Sequence, residues 1–175
     1  MSFQSFLASD LPLAEVENPH IKLLSVNEAI EMGVALPGLV LNSKEIDHNQ
    51  PGVILWADSE ESLGNITIHH TEKTYLGRDD SRLDTELQYF STLEWRYTYE
   101  RAETLIAYIR EHLQNASAVE VWNLWVGYEE TVPNTRKHRV CVLELSAMDL
   151  EKMYNLKNQI GWQQYDCLMV TRGQS

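Results

Sequence analysis

The C-terminal half of the chain carries the clearest hydrophobic pattern. Residues 85–97 alternate between apolar and polar side chains, which is typical of a half-buried strand. Residues 99–113 follow with apolar side chains at the spacing of one helix face, and Thr98 supplies an N-cap. The apolar side chains of that helix are Ala102, Leu105, Ile106, Ile109 and Leu113. The pattern therefore predicts a strand followed directly by an amphipathic helix.

Three further strands and a second helix are predicted beyond this pair. Residues 119–126, 139–145 and 165–171 are rich in β-forming side chains. Ser146 with Asp149 three residues later is a variant of the capping box and predicts a helix start. The order β-α-β-β-α-β is that of the ferredoxin-like split βαβ arrangement. We therefore expect an α+β fold whose residues 84–175 form an antiparallel sheet with two helices on one face.

Residues 1–83 are predicted to form an acidic, β-rich layer with one short helix. Four of the five prolines lie in the first third of the chain, which indicates a loop-rich segment. Ser25 and Glu28 form a capping box that opens the helix, and Gly33 ends it. Strands are predicted at residues 39–42, 52–57 and 65–70. We expect this layer to pack on the sheet rather than to fold independently.

Strand parity sorts the predicted sheet into two faces. Leu93, Trp95, Trp122, Cys141 and Cys167 fall on the more apolar face, which is expected to meet the helices. The opposite face carries polar side chains together with a second apolar set, which includes Phe90, Val119, Val121, Val140, Val142, Leu168 and Val170. Because large bare apolar patches are rare on monomers, we expect this second face to be covered. The N-terminal layer is the expected cover, and a homodimer through this face is the alternative.

The two cysteines are predicted to be reduced and buried. In the ferredoxin-like order, the strand at 85–97 separates the strands that carry Cys141 and Cys167. Two strand spacings are about 9.6 Å, whereas a disulfide needs Cα atoms within about 7 Å. Two cysteines are also too few for a disulfide framework.

Charge excludes several classes of partner. The chain has 14 basic and 26 acidic residues, for a net charge of −12. This charge repels nucleic-acid phosphates and anionic membrane surfaces. The longest apolar runs have five residues, while a membrane helix needs about 20. The N-terminal residues lack the basic start of a secretory signal, so a cytoplasmic protein is expected.

The candidate pocket lies on the second face of the predicted sheet. Glu94, Arg96, Asn123 and Trp125 are expected to point out of the middle of that face. Glu94 is the candidate acid or base and Arg96 the candidate anion ligand, with Asn123 and Trp125 completing the pocket. The alternative is an ordinary ion pair under the cover of the sheet.

A second candidate surface is an aromatic patch for a protein partner. Tyr99, Tyr108 and Tyr128 are not needed by the predicted core, and Glu129 and Glu130 flank the last of them. Tyrosine is enriched at interface hot spots. A partly buried aromatic belt is the alternative interpretation.

No metal or cofactor is expected. His69 and His70 are adjacent in a strand and point to opposite faces, so they cannot chelate one ion. The acidic run 77–84 lacks the ligand spacing of a calcium loop and is expected to be a solvated segment. Phosphate loops, dinucleotide-binding glycines and nucleophile elbows are also missing from the sequence.

Two classes of function are compatible with these patterns. The first is a non-enzymatic module that binds a basic protein partner, as acidic inhibitors or immunity proteins do. The second is a small-molecule-binding or enzymatic domain with its pocket on the second sheet face.

Overall fold

A computed structural model of the chain describes residues 2–72, 85–126, 136–154 and 166–173. In these residues the fold is mixed α+β, with eight strands and four α-helices. The strands are β1 (Ser2–Ser9), β2 (Ile21–Leu24), β3 (Ile54–Ala57), β4 (Thr67–Thr71), β5 (Tyr89–Glu94), β6 (Ala118–Val126), β7 (Lys137–Cys141) and β8 (Cys167–Thr171). The helices are α1 (Val26–Glu31), α2 (Gly38–Leu41), α3 (Tyr99–His112) and α4 (Ala147–Tyr154).

The chain forms two compact units. Unit 1 comprises Met1–Glu17 together with Asn65–Ser175, and unit 2 comprises Asn18–Gly64. The sequence pattern predicts a division between residues 83 and 84. The structure instead groups the first 17 residues with the C-terminal part, because β1 pairs inside the large sheet of unit 1.

Unit 1 contains a six-stranded mixed sheet in the order β4-β5-β1-β6-β8-β7. β1 is antiparallel to β5 on one side and to β6 on the other. Its register is fixed on both sides, since Ser5 lies opposite Leu93 and Asn123, and Leu7 lies opposite Ser91 and Val121. No strand was predicted here, because consecutive Phe6, Leu7 and Ala8 are all buried and the segment shows no period of two.

The observed order corrects the expected ferredoxin-like antiparallel sheet. β8 pairs antiparallel with β6 and parallel with β7, and β1 separates β5 from β6. The cysteines therefore lie on neighbouring strands rather than on separated ones. Cys141 is opposite Thr171 and Cys167 is opposite Lys137, so they occupy distant rows of the same strand pair. Both are thiols, as expected, but Cys167 is buried whereas Cys141 is only half-buried.

Both long helices pack against one face of the sheet, as expected. Their buried side chains include Leu105, Ile106 and Ile109 of α3 and Leu150 and Met153 of α4. The sheet residues in the same core include Leu7, Leu93, Val119, Val121, Leu168 and Val170. Four of these had been assigned to the opposite face: Val119, Val121, Leu168 and Val170. Both faces of β6 and β8 are buried, so the apolar content of a parity set does not tell which set meets the helices.

The second face of the sheet holds a separate apolar cluster. It comprises Phe6, Ala8, Phe90, Trp122 and Cys167, with Leu87 packed against it. Trp122 and Cys167 were expected on the helix face, and the register places them on this one. Phe6 is 2% exposed and Trp122 0% exposed in the single chain. The apolar cluster of the second face is therefore buried within the single chain, without a second copy of the protein.

Unit 2 is built around a two-stranded antiparallel sheet. β2 and β3 pair with Leu23 opposite Leu55 and Leu24 opposite Ile54. Helix α1 contacts both strands, and its Val26 and Ala29 are fully buried. The helix therefore supplies the apolar layer that a two-stranded sheet needs for stability.

Local capping signals place the predicted helices correctly. Ser25 and Glu28 form the expected capping box, with Ser25 N–H donating to the Glu28 carboxylate at 2.7 Å. Gly33, at φ +75°, follows α1 and takes the left-handed conformation that favours glycine. The Thr98 hydroxyl accepts from Arg101 N–H at the start of α3. At the start of α4, Ser146 donates to the Asp149 carboxylate through its N–H and its hydroxyl.

One predicted element has the wrong type. Residues 39–42 were expected to be a strand, but they overlap helix α2. Pro37 occupies the N-cap and its carbonyl accepts from Val40 and Leu41, which starts a helical turn. A helix of four residues is too short to show a helical period in the sequence.

The C-terminal end of α3 is bound by a residue from beyond β8. The Arg172 guanidinium donates to the backbone carbonyls of Leu113 and Gln114, directly after the last residue of α3. Carbonyls at a helix C-terminus lack intrahelical donors and carry partial negative charge. A guanidinium at this position therefore supplies both hydrogen bonds and a favourable charge.

We expect Arg172→Ala to lower the free energy of unfolding by about 1–2 kcal/mol, because the two carbonyls lose charged donors. Urea denaturation followed by tryptophan fluorescence measures the change. Arg139→Ala, which removes an exposed arginine from edge strand β7, is the matched control. Equal losses in the two variants would contradict a specific role for Arg172.

Candidate functional site

The structure does not bring the predicted pocket residues together. Glu94 lies at the end of β5, opposite Thr67, and it is exposed. Asn123 is fully buried, and it shares a face with Leu93 because both lie opposite Ser5. Adjacent residues of a strand point to opposite faces, so Glu94 and Asn123 lie on opposite faces.

The other two members of that set do not restore the pocket. Arg96 is exposed and follows the end of β5, and its carbonyl accepts from the Arg101 guanidinium at 3.4 Å. Trp125 lies in β6, where its backbone pairs with Phe3. The expected cluster of Glu94, Arg96 and Asn123 on one face is therefore wrong.

The predicted aromatic patch is also divided. Tyr99 is 66% exposed, whereas the hydroxyl of half-buried Tyr108 donates to the Ala14 carbonyl at 2.8 Å. Burial raises the pKa of Tyr108 to about 12, against the opposing effect of that hydrogen bond. Tyr99 and Tyr108 are nine residues apart, which corresponds to about two and a half helical turns. Their side chains therefore lie on opposite sides of α3. Tyr128, Glu129 and Glu130 lie outside the described residues.

A polar chain on the helix face links four segments of unit 1. The Trp95 indole N–H donates to the Tyr154 hydroxyl. Ser5 Oγ lies 3.0 Å from that hydroxyl and donates to Asn123 Oδ1 at 2.6 Å. The Trp95 indole N–H can only donate, and the single hydroxyl proton of Ser5 is donated to Asn123. The Tyr154 hydroxyl must therefore donate to Ser5. The direction of the chain is therefore Trp95 to Tyr154 to Ser5 to Asn123.

The environment of Tyr154 keeps its hydroxyl neutral. Burial raises the pKa of Tyr154 to about 12, and this outweighs the opposing effect of its side-chain hydrogen bonds with Ser5, Trp95 and Asn123. The ring meets Trp95 edge-on with centroids 4.9 Å apart, and Tyr97 stacks on it at 6.3 Å. Its one hydroxyl proton is used within the protein, so the group connects β1, β6 and α4 rather than acting as a base.

A serine and a histidine meet at the other end of β1. Ser9 Oγ lies 2.7 Å from His112 Nε2 and donates to the Ala118 carbonyl at 3.1 Å. The Ala118 carbonyl and the Asp10 carboxylate, 3.4 Å from Ser9 Oγ, can only accept. The serine proton therefore goes to one of them, and His112 Nε2 donates to Ser9. Ser9 is fully buried. This geometry joins α3 to the sheet and does not activate Ser9 as a nucleophile.

Burial and charge act in opposite directions on His112. Burial lowers the pKa of the imidazole, while the nearby Asp10 carboxylate acts to raise it. Asp10 itself binds the backbone N–H and hydroxyl of Ser117, at 3.0 Å and 2.6 Å, and the N–H of Ala118 at 3.3 Å. The carboxylate therefore holds the turn that leads into β6.

An ion pair lies on the second face of the sheet. Lys137 Nζ is 2.9 Å from Glu120 Oε1, and the Trp122 indole N–H donates to Glu120 Oε2 at 2.9 Å. Glu120 is only 2% exposed. Lys137 Nζ also lies 5.3 Å from the centroid of the Trp122 ring. Both carboxylate oxygens thus have donors, which offsets the cost of burying the charge.

The described residues contain no group of three or more histidine, cysteine or acidic side chains placed to hold a metal ion. His69 Nδ1 lies 3.8 Å from Glu17 Oε1, with the imidazole 41% exposed. His70 is exposed, and its backbone N–H donates to Glu15. The acidic run 77–84 lies outside the described residues. No helix in the described part of the chain is long and apolar enough to cross a membrane.

The most distinctive surface property is its acidity. Among the described residues, 16 acidic side chains are exposed against seven basic ones. Several of these basic groups interact within the chain. Arg136 pairs with Asp166 at 2.9 Å, Arg110 donates to the Leu145 carbonyl, and Lys22 Nζ lies 5.2 Å from the Trp56 ring. The negative charge of the surface is therefore only partly neutralised from within.

An apolar area interrupts this acidic surface in unit 2. Leu23 and Leu55 lie directly opposite each other in β2 and β3 and are 63% and 58% exposed. The predictions did not include them, because short segments such as IKLL show no alternation that identifies an exposed apolar face. The only feature of the sequence that marks this region is the acidic run from Asp58 to Glu61, directly after β3.

No protein-family model matches the sequence, and no curated protein or solved structure is significantly similar to it.

We expect Asp10→Asn to weaken the dependence of stability on acidic pH. Burial disfavours the charged Asp10, but the bonds from Ser117 and Ala118 outweigh it and hold the pKa below the ordinary value of 3.8. The ionised carboxylate therefore stabilises the fold above about pH 4, and this contribution is lost as the pH falls through the folded pKa.

Urea denaturation between about pH 7 and about pH 3 measures this dependence. Glu103→Gln, on the exposed side of α3, controls for the loss of one negative charge. Parallel stability profiles of Asp10→Asn and the native chain would show that Asp10 makes no such contribution.

We expect Tyr154→Phe to lower the free energy of unfolding by about 1–2 kcal/mol, because the Trp95 indole loses its acceptor and Ser5 its donor. Tyr99→Phe removes the same atom from an exposed ring and should change stability by less than about 0.5 kcal/mol. Thermal and urea denaturation of both variants provide the comparison. A loss of similar size in Tyr99→Phe would contradict the assignment of a structural role to the Tyr154 hydroxyl.

Proposed function

We propose that the chain is a non-enzymatic module that binds a basic protein partner, in the manner of acidic inhibitor or immunity proteins. The observation that carries this proposal is the excess of exposed acidic over exposed basic side chains in the described residues, 16 against seven. An extended field of one sign steers oppositely charged proteins to the surface and disfavours partners of like charge. The separation of Glu94 from Asn123 removes support from the alternative of a catalytic or small-molecule pocket.

Two further properties belong to the same proposal. The cytoplasm is the proposed location, because both cysteines are thiols, as is usual in reducing compartments. A monomer is the proposed oligomeric state, because Phe6 and Trp122 on the second sheet face are buried in the single chain.

The experiment uses three synthetic helical peptides that share one apolar face. Their polar faces carry lysine and arginine, glutamine, or glutamate. We expect the cationic peptide to bind at least about tenfold more tightly than the glutamine peptide at low salt. We expect the glutamate peptide to bind weakest, and the advantage of the cationic peptide to shrink as the salt concentration rises.

Fluorescence anisotropy of labelled peptides measures these affinities at two ionic strengths. Equal affinity for the cationic and glutamine peptides would contradict the proposal, as would a lack of cationic binding at low salt. A protein without an acidic excess, used at the same concentration, controls for adhesion of the peptides to any surface.

A further inference from the structure

One face of the β2–β3 sheet in unit 2 is apolar and exposed. The directly opposed pair Leu23 and Leu55 forms its centre. The next pair on the same face, Ile21 and Ala57, is half-buried. The paired positions of this face carry no polar side chain, and the two leucines keep more than half of their surface in contact with solvent.

The opposite face of the same sheet is covered in part, because Leu24 is buried whereas Lys22 on the same face is exposed. Leu24, whose side chain points away from that of Leu23, is 8% exposed. Helix α1 contacts both strands, and its Val26 and Ala29 are fully buried. The sheet therefore has one helical layer, and its second apolar face is without one. An apolar sheet face is normally buried against another element.

The size of the exposed face fits one helix. Two paired strands lie about 4.8 Å apart, and four residues of a strand extend about 13 Å. A helix is about 10 Å wide with its side chains, and two turns extend about 11 Å. A single helix of two or more turns would therefore cover Leu23 and Leu55.

The charges near the exposed face determine which charge a helix bound there should carry. β3 leads directly into Asp58, Glu60 and Glu61, all of which are exposed. Asp58 Oδ2 lies 2.9 Å from His20 Nδ1, so this carboxylate is paired within unit 2 and the choice of partner depends on Glu60 and Glu61. Glu60 and Glu61 follow Leu55 by five and six residues. Six residues of extended chain reach at most about 20 Å, so the Cα atoms of both glutamates lie within that distance of the Leu55 Cα. All seven acidic residues of unit 2 are exposed, against two basic residues.

A second copy of this chain and an acidic segment of another protein are the two alternative occupants of this face, and neither is compatible with these charges. A second copy of unit 2 would bring the same acidic surface against itself, and like charges across an interface are unfavourable. An acidic segment of another protein would meet the same repulsion. Lys22 does not offset it on this face, because its side chain lies on the opposite face, over Trp56.

We propose that this face of unit 2 binds one amphipathic basic helix of a partner protein. Apolar side chains of that helix cover Leu23 and Leu55, and its lysine or arginine side chains face Glu60 and Glu61. The inference rests on the proposed function and specifies its site and the class of partner. It corresponds to recognition of an amphipathic helix by an apolar surface with complementary charges beside it.

The first test replaces the apolar pair. The probe is the cationic helical peptide described above, and the variant is Leu23→Ser with Leu55→Ser. We expect binding at least about tenfold weaker, because both apolar contacts are lost. Leu143→Ser, which changes an 84% exposed leucine of unit 1, is the matched control and should bind within about twofold of the native chain.

The second test changes charge and leaves the β2–β3 sheet intact. Glu60→Lys with Glu61→Lys changes the net charge by as much as Glu100→Lys with Glu103→Lys on α3 does. If the cationic peptide were attracted only by the net negative charge of the protein, its affinity would fall equally in both double variants. We expect the Glu60 and Glu61 variant to lose at least about fivefold more affinity for the cationic peptide.

The outcomes separate the site from the function. If the native chain binds the cationic peptide but both charge variants weaken equally, or the leucine variant binds normally, the site is wrong and the proposed function stands. If the native chain does not bind the cationic peptide, the proposed function itself fails. A dimer of the native chain that the leucine variant dissociates would identify a second copy as the occupant and overturn the inference.

Discussion

The pairing of β1 on both of its edges is the constraint on which unit 1 depends. β1 lies between β5 and β6 and is antiparallel to both, so the connection from β5 through α3 to β6 must cross over β1. That crossover places α3 on one face of the sheet, where α4 joins it in the same core. The side chains of Phe6 and Leu7 then enter two different apolar clusters, one on each face. A single strand thereby connects both cores of the unit.

The polar residues of β1 complete this role. Ser5 receives a hydrogen bond from Tyr154 of α4, and Ser9 receives one from His112 of α3. Each serine also donates to β6, through the Asn123 side chain and the Ala118 carbonyl. Buried hydroxyls of this kind cost free energy unless they are paired, so the two serines favour one register of β1 over any shifted one.

Local signals in the sequence predicted the helices well and the sheet only in part. The caps at Ser25, Thr98 and Ser146 act through residues three positions away, so a short window contains the whole signal. The sheet order depends on partners far apart in sequence, and β1 has no alternation because both of its faces are buried. Asn123 was assigned to the wrong face for the same reason. In β6, Val121 and Trp122 are both fully buried, so hydrophobicity does not distinguish the two faces.

For the candidate surface, the sequence predicts the charge but not the position of the exposed apolar residues. The acidic excess was visible in the sequence, and the structure shows that most of the described carboxylates are exposed. The exposed pair Leu23 and Leu55 was not predictable, because the two leucines meet only through pairing of segments that are 30 residues apart. The buried ion pair could not be predicted from the sequence for the same reason. Glu120 and Lys137 come together only because β8, which follows both in the chain, lies between their strands.

The place of β1 in the sheet also bears on how unit 1 folds. Ser9 pairs with Tyr89 and Ser2 with Val126, so the central strand gains its partners only by closing loops of about 80 to 120 residues. Contacts of this separation raise the contact order of the fold, and two-state proteins of high contact order fold in roughly milliseconds to seconds. Until those loops close, Phe6, Leu7 and Ala8 form an unpaired apolar segment of the kind that associates with other unfolded chains. Because β1 pairs only with strands that follow it by about 80 residues or more, we expect unit 1 to form cooperatively and its folding yield to fall at high protein concentration.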